Sequence, residues 1–290
     1  MVSGTIVKGI GGFYYVDTGQ NIYECRARGK FRKDNIVPLV GDIVDIEINK
    51  KTKQGYIINI HERKNQLKRP MVANVDQVVI VFAIKKPDID MSLLQKFLVY
   101  NEHIGLKVVV CLNKIDLDQY NEAEPIIKML SSVPYEYICT SALDKIGIDE
   151  LKEKLTGSVS VFAGPSGVGK SSLLNAINPG LYLKTGEISH KTKRGTHTTR
   201  HAELLKLNSG GMVVDTPGFT SFDLMDIEEE ELQYLFPEFH DYLNCRYPSC
   251  RHYKEPDCRV KLALEEGNIN PIRYEYYIKI LCDLMKHRRY

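Results

Sequence analysis

No stretch of this 290-residue chain approaches the eighteen or so consecutive apolar residues that a membrane-spanning helix requires. The first residues also lack the apolar segment of a secretion signal. A cytoplasmic protein with no membrane partner is therefore expected. Charge of one sign is missing as well, with 39 Lys and Arg against 37 Asp and Glu. An even set of cysteines is lacking too, since there are seven. Cys25, Cys111, Cys139 and Cys282 are scattered among apolar neighbours and read as small buried hydrophobes. Cys245, Cys250 and Cys258 are clustered, which in a reducing compartment indicates a metal rather than a disulfide.

What is present suits a soluble chain with a sizeable core, at 43% hydrophobic and 26% charged residues. Its length predicts two or three domains. The small net charge of +2 is unevenly spread. Residues 1–70 carry thirteen Lys and Arg against seven Asp and Glu. Lys184, Lys191, Lys193, Arg194 and Arg200 lie among three histidines in residues 184–201, and residues 226–231 are acidic. Such asymmetry suits a polyanionic partner.

Residues 1–64 predict a small closed barrel of the OB type, with strands over 4–16, 22–28, 42–48 and 55–61 separated by turn-forming residues. Its Arg26, Arg28, Lys30, Arg32 and Lys33 accompany Phe13, Tyr14, Tyr15, Tyr23 and Phe31. Basic and aromatic residues together can hold nucleic acid by phosphate attraction and base stacking, with about half of these rings expected in the barrel core. A charged link over 61–69 then leads into residues 65–224. There, apolar β-branched runs at 75–84, 107–112, 135–140 and 158–163 alternate with helical spacing at 91–103, 123–131 and 147–155. Two further strands are expected at 201–207 and 211–214. That pattern predicts an α/β domain with a mostly parallel sheet and ligands at the carboxyl ends of its strands. Residues 225–290 predict a helical tail.

The chemistry is carried by short segments at those strand ends. Gly164-Pro165-Ser166-Gly167-Val168-Gly169-Lys170-Ser171, with Ser172 opening the following helix, fits the phosphate-binding loop G-x-x-x-x-G-K-[ST]. Glycines let the backbone N–H groups face phosphate oxygens, and the helix N-terminus adds its dipole. Lys170 reaches the terminal phosphates and Ser171 supplies a hydroxyl to Mg²⁺. Asn113-Lys114-Ile115-Asp116 follows another strand, where Asp116 can accept both N1–H and the exocyclic amine of guanine. Thr140-Ser141-Ala142 follows the next strand, and a backbone amide there, of Ser141 or Ala142, can meet the guanine carbonyl. Asp215-Thr216-Pro217-Gly218 offers an aspartate to Mg²⁺ through water and the Gly218 amide to a γ-phosphate. Between these lies Gly195-Thr196-His197-Thr198-Thr199, one of whose threonines completes the Mg²⁺ shell, Thr199 in preference to Thr198. The position after Gly218 holds Phe219, where many GTPases have a glutamine that orients water. His197 is the candidate for that task, and intrinsic turnover should be slow. In the tail, Cys245, Cys250, His252 and Cys258 predict one structural Zn²⁺ of the Cys₃His type. His240, nearby, reads as a packing or surface residue.

These are the parts of a GTP/GDP-binding protein in a permuted order, because the guanine motifs precede the phosphate loop. Asp116 argues against an ATP-dependent enzyme, and Phe219 leaves open a scaffold holding GTP without turnover. With the segments 164–171, 113–116, 195–199 and 215–218 and the cluster from Cys245, the whole chain resembles the small ribosomal subunit biogenesis GTPases called RsgA, also YjeQ or YloQ. That resemblance implies a cytosolic GTPase, taken as a monomer, that binds the small subunit and its rRNA late in assembly. It also implies ribosome-stimulated hydrolysis and the release or checking of other assembly factors.

Overall fold

The computed structural model describes residues 1–29, 31, 36–49, 54–68, 70–180, 202–219 and 224–287, with backbone alone at 215–219. Strands β1 (Val2–Ile10), β2 (Phe13–Asp17), β3 (Ile22–Ala27), β4 (Ile43–Ile48) and β5 (Gly55–Ile60) come first, then β6 (Gln66–Lys68) and β7 (Met71–Ala73). The chain continues through β8 (Gln77–Ala83), α1 (Met91–His103), β9 (Lys107–Asn113), α2 (Glu124–Ser131), β10 (Glu136–Thr140) and α3 (Ile148–Leu155). Next are β11 (Val159–Ala163), α4 (Lys170–Ile177), β12 (Glu203–Lys206) and β13 (Met212–Phe219). Short 3₁₀ turns at Leu232–Leu235 and Pro237–Tyr242 precede α5 (Arg259–Glu265) and α6 (Pro271–His287). Among the described residues no helix is long and apolar enough to cross a membrane.

The chain divides into two compact units, the first being Met1–Val78, Ile148–Ser166 and Ser171–Phe219. In it, β1-β2-β3-β5-β4 are successive neighbours and β4 pairs back onto β1, closing a five-stranded barrel. The barrel closes around Ile6, Val16, Cys25, Val44, Ile46 and Ile57, all with no exposed surface. The aliphatic, period-two residues fill this core, while Phe13, Tyr14, Tyr15 and Tyr23 are only half-buried and Phe31 alone of the five rings is buried. The expected single strand over 4–16 is two, because Gly11 and Gly12 turn the chain with φ of 59° and 83°. The expected charged link also differs, since it contains β6, which pairs with β7 as a hairpin. Its Arg63 is no solvated charge: Nε and Nη2 donate to the two carboxylate oxygens of fully buried Asp42 at 2.7 and 2.8 Å. The same sheet continues from the barrel through β12 and β13 to β11, with Lys8 opposite Glu203 in register and paired to it at 2.7 Å.

The second unit comprises Val79–Gly147, Gly167–Lys170 and Thr220–Tyr290. Its strands run in the order β8-β9-β10, with β9 and β10 parallel and Thr140 opposite Asn113. β8 is buried along its length, as an apolar run with no polar alternation requires. Asp90 caps α1 by accepting from the Leu93 N–H at 3.0 Å. The tail packs Phe236, Phe239 and Tyr277 with ring centroids 5.0 to 5.3 Å apart, and Val99 of α1 joins the same cluster.

Arg273 of α6 is entirely buried in this unit. It donates through Nε to Glu238 at 2.5 Å and through Nη2 at 3.3 Å, and through Nη1 to Gln95 of α1. Its guanidinium lies over the Phe236 ring at 4.4 Å. A buried charge of this kind needs its partner. Arg273→Ala is expected to destabilise this unit by about 3–5 kcal/mol, because Glu238 is left buried and unpaired. Replacing both residues, as Arg273→Met with Glu238→Leu, should restore most of that loss in calorimetric or urea unfolding. Equal losses in the single and double variants would show that packing, and not charge pairing, is the contribution.

Candidate nucleotide site and metal centre

The phosphate-type loop begins where buried β11 ends at Ala163 and finishes where α4 starts at Lys170. Gly164, Gly167 and Gly169 have φ of 134°, 80° and 98°, values that residues with a side chain rarely adopt. Pro165 is half-buried, Ser166 and Gly167 are exposed, and Val168 is buried. A Cβ on Gly169 would stand 2.4 Å from Nδ2 of Asn113, so only glycine allows this approach. Ser171 and Ser172 are half-buried in the first turn of α4. Burial alone pushes the Lys170 ammonium down to about 8.

Asn113 ends β9 and is buried. Its Nδ2 donates to the Val168 carbonyl at 2.8 Å. Lys114 is left-handed, with φ of 63° and ψ of 37°, and this conformation starts the short turn Ile115–Leu117. Its Nζ donates to the Gly167 carbonyl at 2.7 Å and to the Lys86 carbonyl. Two successive side chains of the guanine-type motif thus hold two successive carbonyls of the phosphate-type loop. Ile115 is half-buried and Asp116 is exposed at the turn. Ser141 is buried, and its N–H is committed to the Ile146 carbonyl at 3.1 Å, while its Oγ accepts from the Asp144 N–H at 3.1 Å. Ala142 beside it is half-buried.

Thr140, the first residue of the Thr140-Ser141-Ala142 segment, and Cys111, which no motif contains, complete this hydrogen-bond chain. The Val168 carbonyl can only accept, so Asn113 must turn its Nδ2 to it and its Oδ1 away. Oδ1 then accepts from the Thr140 hydroxyl at 3.0 Å, which uses the only proton of that hydroxyl. Thr140 Oγ1 lies 3.2 Å from Sγ of Cys111, so the thiol is the donor there. Burial pushes the Cys111 thiol up to about 12, which keeps its proton in place. The sequence does contain a signal for this pair. Cys111 and Asn113 are two apart on β9, hence on one face, and Thr140 is registered against Asn113. Read singly, however, Cys111 is one more buried hydrophobe.

Asp215, Thr216, Pro217 and Gly218 do not follow a strand ending at Val214, as the sequence predicts. Their backbone lies inside β13. Val161 is opposite Val214 and Ala163 opposite Phe219, so β13 carries extra residues there as a bulge alongside the end of β11. A bulge is where a strand tolerates a proline, which has no N–H for the ladder. His197, Thr198 and Thr199 lie outside the described residues, as do Lys30, Arg32 and Lys33 and the basic residues at 184, 191, 193, 194 and 200.

In the tail, one ligand atom from each of Cys245, Cys250, His252 and Cys258 lies within 4.8 Å of the others. Nδ1 of His252 is 3.5 Å from Sγ of Cys245, 3.5 Å from that of Cys250 and 3.3 Å from that of Cys258. Sγ of Cys245 and Cys258 are 3.9 Å apart. A tetrahedral zinc with bonds of about 2.3 Å sets its sulfurs roughly 3.8 Å apart, so the spacing and the donor set both fit that ion. Phenol groups from α6 brace the loop, Tyr274 donating to the His252 carbonyl at 2.7 Å and Tyr277 to that of Arg251 at 2.8 Å. The Arg259 N–H, at the start of α5, points at Cys245 Sγ from 3.4 Å. His240 is exposed, and its ring bonds to the Tyr234 carbonyl at 2.9 Å.

Thr140→Val keeps the shape of Thr140 while orphaning Asn113 Oδ1, so it is expected to weaken GDP binding about tenfold, the effect of losing one buried hydrogen bond. Thr140→Ser should bind like the parent. A dissociation constant for Thr140→Val within twofold of the parent, measured with a fluorescent GDP analogue, would remove Thr140 from the site.

A family model described as RsgA GTPase matches residues 60–225, and one described as RsgA N-terminal domain matches residues 3–57. The chain is 51% identical to the small ribosomal subunit biogenesis GTPase RsgA of Caldanaerobacter subterraneus subsp. tengcongensis, over 100% of this chain and 98% of that protein. Among solved structures, YjeQ from Thermotoga maritima is 42% identical with a TM-score of 0.86, covering 98% of both chains. YloQ, described as a circularly permuted GTPase, is 38% identical with a TM-score of 0.84 over 99% of this chain and 96% of its own. These matches run over nearly the full length of the chain, and the chain belongs to the RsgA GTPase family.

Proposed function

We propose that this protein hydrolyses GTP to GDP and phosphate on the small ribosomal subunit late in its assembly, and that contact with the subunit stimulates the reaction. The observation that carries this reading is the grip of Asn113 and Lys114 on the Val168 and Gly167 carbonyls. It ties the guanine-reading turn to the phosphate loop despite their reversed order in the chain. Asp116 accepts from the guanine N1–H and exocyclic amine, and the Ser141–Ala142 turn meets the guanine carbonyl, with the Ala142 amide suited to it because that of Ser141 is in use. The backbone of residues 164–169 and the first turn of α4 face the phosphates, and Lys170 neutralises charge that develops on the β,γ-bridge. Ser171 and Thr199 hold Mg²⁺, with Asp215 acting through water, and the ion when bound neutralises charge on the β- and γ-phosphates. The Gly218 amide senses the γ-phosphate. Phe219 cannot orient water, so His197 takes that role.

The names of the relatives support the small ribosomal subunit as partner. The barrel supports RNA contact, with exposed Arg26 lying over the Phe13 ring at 4.5 Å and half-buried Tyr15 and Tyr23 nearby. Residues 1–64 act as the RNA-binding barrel, 65–224 as the GTPase domain and 225–290 as a tail built on one structural Zn²⁺ at Cys245, Cys250, His252 and Cys258. The protein works as a cytoplasmic monomer and helps to release or check maturation factors.

Two measurements test this reading. GTP and ATP turnover should be measured with and without purified small and large subunits. GTP turnover should rise with small subunits alone, and His197→Ala should abolish that rise while leaving nucleotide affinity unchanged. No stimulation by small subunits would refute the proposal. The second concerns Lys170. Its folded value of about 8 lies below the ordinary 10.5, so the nucleotide-free fold favours the neutral amine and gains stability as pH rises between the two. Phosphate oxygens reverse this by favouring the ammonium. GDP binding at pH 8 should therefore take up about half a proton, seen as a buffer-dependent calorimetric enthalpy, and affinity should fall above pH 8. Proton-neutral binding at pH 8 would take Lys170 out of phosphate contact.

A further inference from the structure

The imidazole of His252 is fully buried and has one nitrogen on each side of a boundary. Nδ1 faces three sulfurs at 3.3 to 3.5 Å. Nε2 faces Oε1 of Gln233 at 2.9 Å. The orientation of the Gln233 amide is not free, because its Nε2 donates to the Glu230 carbonyl at 2.9 Å and a carbonyl can only accept. Oε1 is therefore the atom presented to His252, and Nε2 of His252 must carry the ring proton. That leaves the Nδ1 lone pair pointing at the thiols, as a metal ligand requires.

The neighbouring residue grips the same segment. Arg251 donates through Nη2 to Glu230 at 3.0 Å and through Nη1 to Glu229, whose side chain is only 9% exposed. Glu231 meets Nδ1 of His103 on α1 at 2.7 Å. Residues 229–233 are thus held by two consecutive residues of the cysteine loop and by α1. Along the chain, this segment follows Asp215–Gly218.

We propose that Gln233 is the outer partner of the metal centre, setting the His252 tautomer, and that metal binding fixes residues 228–233 through this bond and the Arg251 fork. This rests on the reading of Cys245, Cys250, His252 and Cys258 as a metal site. Gln233 is a positioning residue that touches no ligand. In the sequence it is a lone glutamine in an acidic stretch, twelve residues before the first cysteine of the cluster.

The test uses the full chain, stripped of metal and titrated with Zn²⁺ against a chromophoric chelator, with Co²⁺ absorption as a second readout. Gln233→Ala should weaken Zn²⁺ binding about 10–100-fold, the usual effect of losing an outer partner. Gln233→Glu still accepts from Nε2–H and should bind close to the parent. Histidine ¹⁵N spectra of the Zn²⁺-loaded parent should show a protonated Nε2, and hydrogen exchange over 228–233 should slow on Zn²⁺ addition. If Gln233→Ala does not fold, the ¹⁵N spectra and the hydrogen exchange of the parent still decide. Parent-like affinity in Gln233→Ala, a protonated Nδ1, or unchanged exchange would overturn the proposal while leaving the metal site intact. A parent chain that takes up neither ion would overturn the metal reading itself.

Discussion

A loop that turns its amides toward an anion must turn carbonyls the other way, and buried carbonyls need donors. In this protein the side chain of Asn113 meets the buried Val168 carbonyl, and that of Lys114 meets the exposed Gly167 carbonyl beside it. The rest of the site follows from that constraint. Gly169 must lack a side chain because Asn113 occupies the space of its Cβ. Thr140 must donate to Asn113, and Cys111 to Thr140, because each acceptor upstream has already fixed the direction of the proton. The permuted order of the motifs does not prevent this grip, since hydrogen bonds depend on where atoms lie and not on when the chain reaches them.

The tail obeys a similar rule with stronger charges. Arg273 is buried with both sides of its guanidinium used, by Glu238 and by Gln95 of α1. Around the cysteine cluster, Tyr274, Tyr277 and Gln233 each satisfy one polar group of the loop. A segment this short has little apolar area of its own, so directed polar bonds take over from core packing. The apolar share comes from Phe236, Phe239 and Tyr277, which surround the loop rather than lie within it.

Elements with strong periodicity were legible from residue order. α1 runs Met91–His103, where the spacing predicts it. β8 to β11 fall within a residue or two of their apolar runs. Elements governed by local exceptions were not. Gly11 and Gly12 split one apparent strand into two, and the charged residues after His61 conceal a hairpin. Arg63 looks solvated in the sequence because nothing local shows that Asp42, far back in the chain, is buried and awaiting it. The bulge in β13 is likewise invisible, because alternation stops at Val214 while strand pairing resumes at Phe219.

Residue order by itself determined the chemical inventory: a phosphate-type loop, a guanine-type turn, three thiols with an imidazole, and a barrel ahead of them. Those are local patterns, in which a few adjacent residues carry the full requirement of a turn, a helix start or a ligand set. Tertiary structure alone decided which groups orient them. Thr140, Cys111 and Gln233 acquire their roles from partners on other elements, and a hydrogen bond between distant residues leaves no periodic trace in the chain.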